Sequence, residues 1–372
     1  MPAMPDAKPT PARDLAFVPG TELVFGPQAA RRRQVSDAVA RISRGWGFTD
    51  IILPSFDDRR TFDGSDAKES DLYRFLDREG RWLTLRADFT LIAAKALAIE
   101  LRREPRMIRA SYEGRVFRFQ PSGHGARVEQ SQRGLEWVNA SGVVYDAASL
   151  CIAAECLKDL GLHDAAIVVG HAGFVSAALG EKGRTDRALL EAIDHKNPAR
   201  IRELAKRRGL DAEQTELLTQ LPGLCGGREV IARARRIASS PDAVAALDEL
   251  EALAGLLQNT GSQLKPLFDL GEVRQYHYYS GMMFKIYHSR VGDDLGGGGR
   301  YDRLFDRYGL DVPAVGFGFD LARLTEALPR SESGAEIGAV SIDAASETNA
   351  LARALEARAR GDQVLLIGKQ GI

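Results

Sequence analysis

Apolar and polar positions alternate along the chain in two distinct rhythms. Over residues 27–45 the apolar residues Val35, Ala38, Val39 and Ile42 recur at helical spacing and predict an amphipathic helix. A β run follows at Thr49–Leu53 and stops at Pro54, which cannot continue a central strand. "RWLTLRADFT" predicts a strand near 82–86, after which Asp88 or Thr90 caps a long apolar helix, "LIAAKALAIELRRE". "RMIRASYEGRVFRFQ" reads as two strand-like pieces. "VVYDAASLCIAAECLKDLG" is a helix closed by Gly161, and "AAIVVG" a short buried strand. From about 176 to 260 strand signals vanish and charge-rich helical segments take over, which predicts a helical insertion. β character returns at "PLFDLGEV" and "GMMFKIYHSR", and the tail after position 328 reads β–α–β. The expected fold class is α+β, a mostly antiparallel sheet flanked by helices and broken by the insertion.

Composition narrows the function classes. The 372 residues are 44% hydrophobic and 27% charged, an ordinary globular mix, with a formal net charge of −1. A free-standing nucleic-acid binder carries a basic excess, because phosphate neutralisation supplies most of its affinity. That excess is missing, so no nucleic-acid partner is expected. Cys151, Cys156 and Cys225 form no CxxC pair and no HxxxH pair occurs, so neither a metal site nor a cofactor is expected. No apolar run reaches the ~18 residues of a membrane span, and no membrane partner is expected. The opening "MPAMPDAKPTPARD" has no apolar core and reads as a loose tail over residues 1–16.

Four constellations carry candidate chemistry. Asp88 and Thr90 sit at a strand–helix junction, where a carboxylate can receive an ammonium; the plain alternative is an N-cap. "YEGRVFRFQPSGHGARVEQSQRGLEW" predicts a hairpin with Arg115, Arg118, Gln132 and Glu136 aimed at one cleft. Gln132 and Glu136, four apart on a strand, share a face. A carboxylate there must be paired or bind something cationic, and a structural ion pair is the alternative. In "VRQYHYYSG", Arg274 lies among Tyr276, His277, Tyr278 and Tyr279, a pocket for a small polar ligand or an ordinary aromatic core. Gly296–Gly299 allows a close backbone approach or forms a turn. No phosphate loop or dinucleotide fingerprint is present.

In this order the motifs resemble the catalytic core of histidyl-tRNA synthetase, a class II aminoacyl-tRNA synthetase, over roughly residues 17–328. "GFTDIILPSF" resembles the dimer-forming motif 1, with Pro54 as its proline. "YEGRVFRFQ…RGLEW" resembles motif 2, and "AVGFGFDLARL" resembles motif 3, with Arg323 as its arginine. "VRQYHYYSG" resembles the histidine-specific "VRGLDYY", and "GGGRYD" matches outright. The resemblance implies a histidine-binding set: Asp88 where the family has Glu, with Thr90, Arg118, Gln132, Glu136, Arg274, Tyr278 and Tyr279. It implies Arg274 on the ligand's carboxylate, with Tyr278, Tyr279 and Glu136 framing its ring. The nucleotide parts depart from the pattern: Gln120 replaces a glutamate, Ala126 an arginine (with Arg127 one step along), and Ala322 precedes Arg323.

That pattern of retention and loss is similar to the regulatory subunits of ATP phosphoribosyltransferase. This second resemblance implies no catalytic residues and a place in the first step of histidine biosynthesis. The implied partner is a short-form catalytic subunit, and the implied effector L-histidine. It further implies a homodimer through residues 45–60 within a hetero-octamer, a cytoplasmic location, and a short β–α–β remnant at 329–372. The competing expectation is a ligase that adenylates histidine for a non-tRNA acceptor, which ATP–pyrophosphate exchange would reveal.

Overall fold

The computed structural model describes residues 17–63, 69–119, 127–183, 186–260, 264–273, 279–329, 339–343 and 349–367. Helix α1 (Pro27–Gly45) starts with Pro27 in its first turn and buries Val35, Val39 and Ile42. Strands β1 (Thr49–Asp50), β2 (Phe56–Asp58), β3 (Arg74–Leu76) and β4 (Trp82–Leu85) are short. The β run expected over Thr49–Leu53 contracts to the two residues that pair with the next long strand. Helix α2 (Phe89–Arg103) is capped by Asp88, whose carboxylate accepts the Leu91 N–H at 3.2 Å.

Strand β5 (Ile108–Phe117) is continuous, not two pieces. Gly114 interrupts its apolar pattern for a packing reason: a Cβ there would meet Arg86 Nη2 at 2.7 Å and Phe89 Cζ at 3.0 Å. Strand β6 (Glu129–Val138) completes the hairpin, and α3 (Val143–Asp159) and β7 (Ala166–His171) follow.

The insertion is built from α4 (Ala172–Gly183), α5 (Arg187–Asp194), α6 (Pro198–Arg207), α7 (Ala212–Gln220), α8 (Glu229–Arg235) and α9 (Pro241–Asn259). Asp186, Asn197, Asp211 and Ser240 cap α5, α6, α7 and α9 through their side chains, which is why a charge-rich segment holds so many short helices. The insertion is not wholly helical, since β8 (Cys225–Gly226) lies between α7 and α8. Strands β9 (Leu267–Asp269), β10 (Met282–Tyr287), β11 (Gly296–Arg300) and β12 (Ala314–Asp320) and helix α10 (Leu321–Ala327) close this unit.

Nine strands form one sheet in the order β1-β5-β6-β12-β11-β10-β7-β9-β8. Its pairs are antiparallel except two: β1 joins β5, and β9 joins β7, in parallel. Alternation sends Leu135, Trp137, Val315, Phe317, Phe319 and Phe284 to one face, where α1, α3, α4, α9 and α10 bury them. On the other face α2 covers one end, packing Phe89, Ala93 and Leu97 on Ala110, Val138 and Ala314. Beyond α2 that face carries glycines. Strands β2, β4 and β3 make a small separate sheet. Among the described residues no helix is long and apolar enough to cross a membrane.

The chain divides into two compact units, one running to Leu328 and one starting at Pro329. In the second, β13 (Ala339–Asp343) and β14 (Gln363–Ile367) pair in parallel, linked through α11 (Ala350–Ala359). Ala350 and Ala354 pack on Ile342, Val340 and Val364.

Candidate functional site

The floor of the cleft is set by register. Glu136 on β6 faces Gly316 on β12, which faces Gly299 on β11; one rung along, Gly134 faces Gly318, which faces Gly297. Side chains lie flat over this floor. A Cβ at Gly316 would fall 1.7 Å from Glu136 Oε2, one at Gly134 would fall 2.4 Å from the Tyr112 hydroxyl, and one at Gly299 would fall 2.8 Å from Tyr279 Cδ1. The glycine run expected as a close approach or a turn is therefore a central strand, and close approach is its reason.

Glu136 is the chemical centre, with 1% of its surface exposed. The Tyr112 hydroxyl donates to Oε1 at 2.8 Å and the Tyr301 hydroxyl donates to Oε2. Thr90, in the first turn of α2, brings its hydroxyl to the same carboxylate. Among the described residues Glu136 has no cationic partner, so the expected structural ion pair is not found there. Burial pushes its carboxyl up to about 7, against the pull of the Tyr301, Tyr112 and Thr90 hydroxyls, and the nearby charge of Asp88 pushes the same way. Burial also raises the Tyr112 hydroxyl well above its usual range, and the Glu136 charge adds to that. A carboxylate has about four acceptor positions, and the Tyr112, Tyr301 and Thr90 hydroxyls use three of them. The arrangement is suited to a group that donates N–H bonds or carries positive charge, which would offset the cost of burying the anion.

The cleft's rim joins Asp88 to Arg118. Arg118 Nε donates to the Ala87 carbonyl at 2.7 Å, and its Nη2 lies 3.3 Å from Asp88 Oδ2. Behind them Arg86 donates to the carbonyls of Leu53, Pro54 and Arg115 and lies 3.9 Å above the Phe89 ring. It ties the segment after β1 to the hairpin. Burial holds its guanidinium below the usual range.

Of the residues expected to bind histidine, Thr90 and Glu136 meet at one carboxylate, Asp88 lies beside Arg118, Gln132 shares the Glu136 face of β6, and Tyr279 lies against Gly299. Asp88 proves to be both cap and rim carboxylate. Arg118 is already engaged with it, rather than waiting for a ligand alone. Gln132 is half-buried on β6, opposite Gly114 and Asp320. Arg274 and Tyr278 lie outside the described residues, as do Gln120 and Ala126. Arg127 lies 3.5 Å from Glu326 on α10. Arg115 turns away from the cleft and pairs with Glu129. Sequence reasoning missed Tyr112 and Tyr301 as partners of Glu136, although "GGGRYD" was singled out and contains Tyr301.

A cavity of about 400 Å³ opens on the opposite side of the hairpin, lined by residues that include Arg32, Ser36, Glu113 and Arg115. Its charges are largely spent on one another: Arg32 pairs with Glu22, Arg115 with Glu129, and Ser36 donates to Glu113. Among the described residues no group of three His, Cys, Asp or Glu side chains is placed to hold a metal ion.

The comparisons with known proteins bear on the family and the fold. The family model described as histidyl-tRNA synthetase matches residues 20–324. A protein of Moorella thermoacetica named ATP phosphoribosyltransferase regulatory subunit is 32% identical over 355 residues, 94% of this chain and 91% of that one. One of the same name from Bacillus subtilis is 33% identical over 345 residues, 92% and 87% of the two chains. A crystal structure titled as an ATP phosphoribosyltransferase regulatory subunit/histidyl-tRNA synthetase from Bacillus halodurans superposes with a TM-score of 0.84 at 27% identity, covering 98% of this chain and 95% of that one. Histidyl-tRNA synthetase from Nostoc, 18% identical with a TM-score of 0.74 over 94% of this chain and 85% of that one, shares the fold.

Proposed function

This chain belongs to the ATP phosphoribosyltransferase regulatory subunits, a family built on the histidyl-tRNA synthetase fold, and from that premise we propose that its cleft binds free L-histidine as a feedback effector. The observation that carries the reading is Glu136: a buried carboxylate held by tyrosine hydroxyls, with no cation beside it among the described residues. An imidazole N–H supplies what that carboxylate lacks. Asp88 and Thr90 at the rim suit the ligand's ammonium, with Gln132 beside them. By the family resemblance Arg274 takes the ligand's carboxylate, with Tyr278 and Tyr279 along the ring.

The chain itself performs no catalysis in this reading. It is a cytoplasmic subunit that activates a short-form catalytic partner, and it pairs with a second copy through residues 45–60 within a hetero-octamer. Feedback then needs histidine to favour one assembly state over the other by a coupling of about 1–3 kcal/mol. Names of relatives and the shared fold support the regulatory role, and the Glu136 pocket supports the effector.

The test is a histidine titration by calorimetry, with and without the short catalytic subunit, beside phosphoribosyltransferase activity over the same concentrations. Saturable histidine binding that parallels loss of activity is expected. No binding in either sample, or charging of bulk tRNA with histidine above background, would overturn the reading.

A further inference from the structure

The far end of the glycine floor carries a second cluster of charge. Gly316, Gly318 and Asp320 share a face of β12, opposite Glu136, Gly134 and Gln132. At about 3.4 Å per residue, Asp320 lies ~14 Å along the strand from the Glu136 end. Its Oδ1 accepts the N–H groups of Ala322 (2.9 Å) and Arg323 (3.0 Å). Asp293 and Asp294 lie just before β11, and the Asp320 N–H donates to Leu295 O at 2.9 Å, which ties the two elements together.

Arg323 sits inside this acidic cluster. Its Nη1 donates to the Asp294 carbonyl at 2.9 Å and lies 3.5 Å from Asp294 Oδ1. Nη2 donates to Asp293 Oδ2, and Nε lies 3.5 Å from Asp320 Oδ2. Each guanidinium nitrogen therefore has an acidic neighbour. Among the described residues, a second cation nearby is Lys285 on β10, opposite Gly297. Among the described residues, three carboxylates thus face two cations. Burial raises the Asp294 carboxyl, while Lys285 and Arg323 pull it down and Asp293 and Asp320 push it up.

A guanidinium is the side chain best shaped to grip a phosphate, and a polyphosphate needs unspent positive charge. We propose that Asp293 and Asp294 are specificity-determining residues of this cleft: by holding Arg323 and leaving its surroundings net negative, they refuse nucleoside triphosphates and other polyphosphates. The cleft is then left to a small ligand bearing an ammonium or imidazole. The proposal rests on the reading of the cleft as a small-ligand site, and deepens it. Asp293 is 57% exposed, Asp294 27% and Asp320 6%. Neutralising one exposed ion pair alone changes little, so the charge must shift by two units, through both loop carboxylates or through reversal of one. Asp320 also caps α10 and is left in place.

The experiment compares the full-length wild-type chain with Asp293→Asn/Asp294→Asn, titrating magnesium–ATP and, separately, inorganic triphosphate in a calorimeter. Wild type is expected to show no saturable binding up to millimolar ligand. The double variant should gain at least about tenfold in affinity, and Arg323→Ala added to it should remove the gain. Asp293→Lys changes only the half-exposed position and should show a gain of the same sign even where the double variant folds poorly. Histidine is titrated into every sample, so a missing histidine site is seen separately from a missing nucleotide effect. Wild type binding ATP as tightly as the double variant would overturn the proposal, as would folded variants that gain nothing.

Discussion

Replacing Glu136 with Gln should separate the stability of the fold from the affinity of the cleft. The Glu136 carboxyl is pushed from 4.5 to about 7, by burial first and by the Asp88 charge last, with the three hydroxyls opposing. The folded chain therefore holds this proton more tightly than the unfolded chain does. Between pH 4.5 and about 7 the folded state carries the extra proton, so this contribution to stability is complete below the lower value and is lost as pH rises through the upper one. At 1.36 kcal/mol per unit the loss is on the order of ~3 kcal/mol. Gln carries no charge at any pH, so the variant should lack that slope and be the more stable protein at pH 8. Denaturant unfolding at pH 5, 6, 7 and 8 reads this directly. Histidine binding should move the other way. Ionisation of a group near 7 rises about tenfold from pH 6 to 8, and loss of the proton from free imidazole adds about fourfold. Wild-type affinity should climb by the product of the two. The Gln variant should bind far more weakly and keep only the smaller factor. Parallel stability profiles for the two proteins, or wild-type affinity in the Gln variant, would refute the assignment of Glu136 as the buried acceptor.

Two further outcomes follow from packing. Gly316→Ala places a methyl 1.7 Å from Glu136 Oε2 and 2.5 Å from the Leu135 carbonyl, and backbone cannot give way as a flexible side chain can. Histidine affinity by calorimetry should fall about 100-fold or more, with a stability loss of about 1–3 kcal/mol; unchanged binding would mean that the cleft lies elsewhere. Ile52 is 100% exposed in the single chain, on the segment expected to form the homodimer. Ile52→Glu should convert a dimer to a monomer in light scattering with an unchanged circular dichroism spectrum, and a wild-type protein that is monomeric at micromolar concentration would count against that interface.

Much of the frame could be read from short stretches of sequence, because its signals are local. Helix α1 follows from apolar spacing, the start of α2 from Asp88, and the insertion from the loss of strand signals and the run of charge-rich helical segments. The hairpin and the shared face of Gln132 and Glu136 follow from alternation alone. Chain order of the motifs identified the family, and with it which positions to inspect.

What the sequence left open depends on contacts between distant segments. "RMIRASYEGRVFRFQ" reads as two strand-like pieces, yet Ile108–Phe117 is one strand, with Arg86 and Phe89 standing where a side chain at Gly114 would be. Gly296–Gly299 reads as a turn or a close approach, and the fold decides for close approach within an interior strand, where Tyr279 lies against Gly299. Arg118 and Arg323 are each a free cation on paper, and each is held by acidic groups in the fold. Tyr301 reaches Glu136 from 165 positions away, a pairing that no helix or strand period encodes. The sequence by itself determined that a carboxylate would sit at position 136, on the same strand face as Gln132. Only the tertiary structure decided that this carboxylate is buried, bonded to tyrosines and poised to lose its proton near neutral pH, because desolvation depends on everything packed around a group and not on its neighbours in the chain.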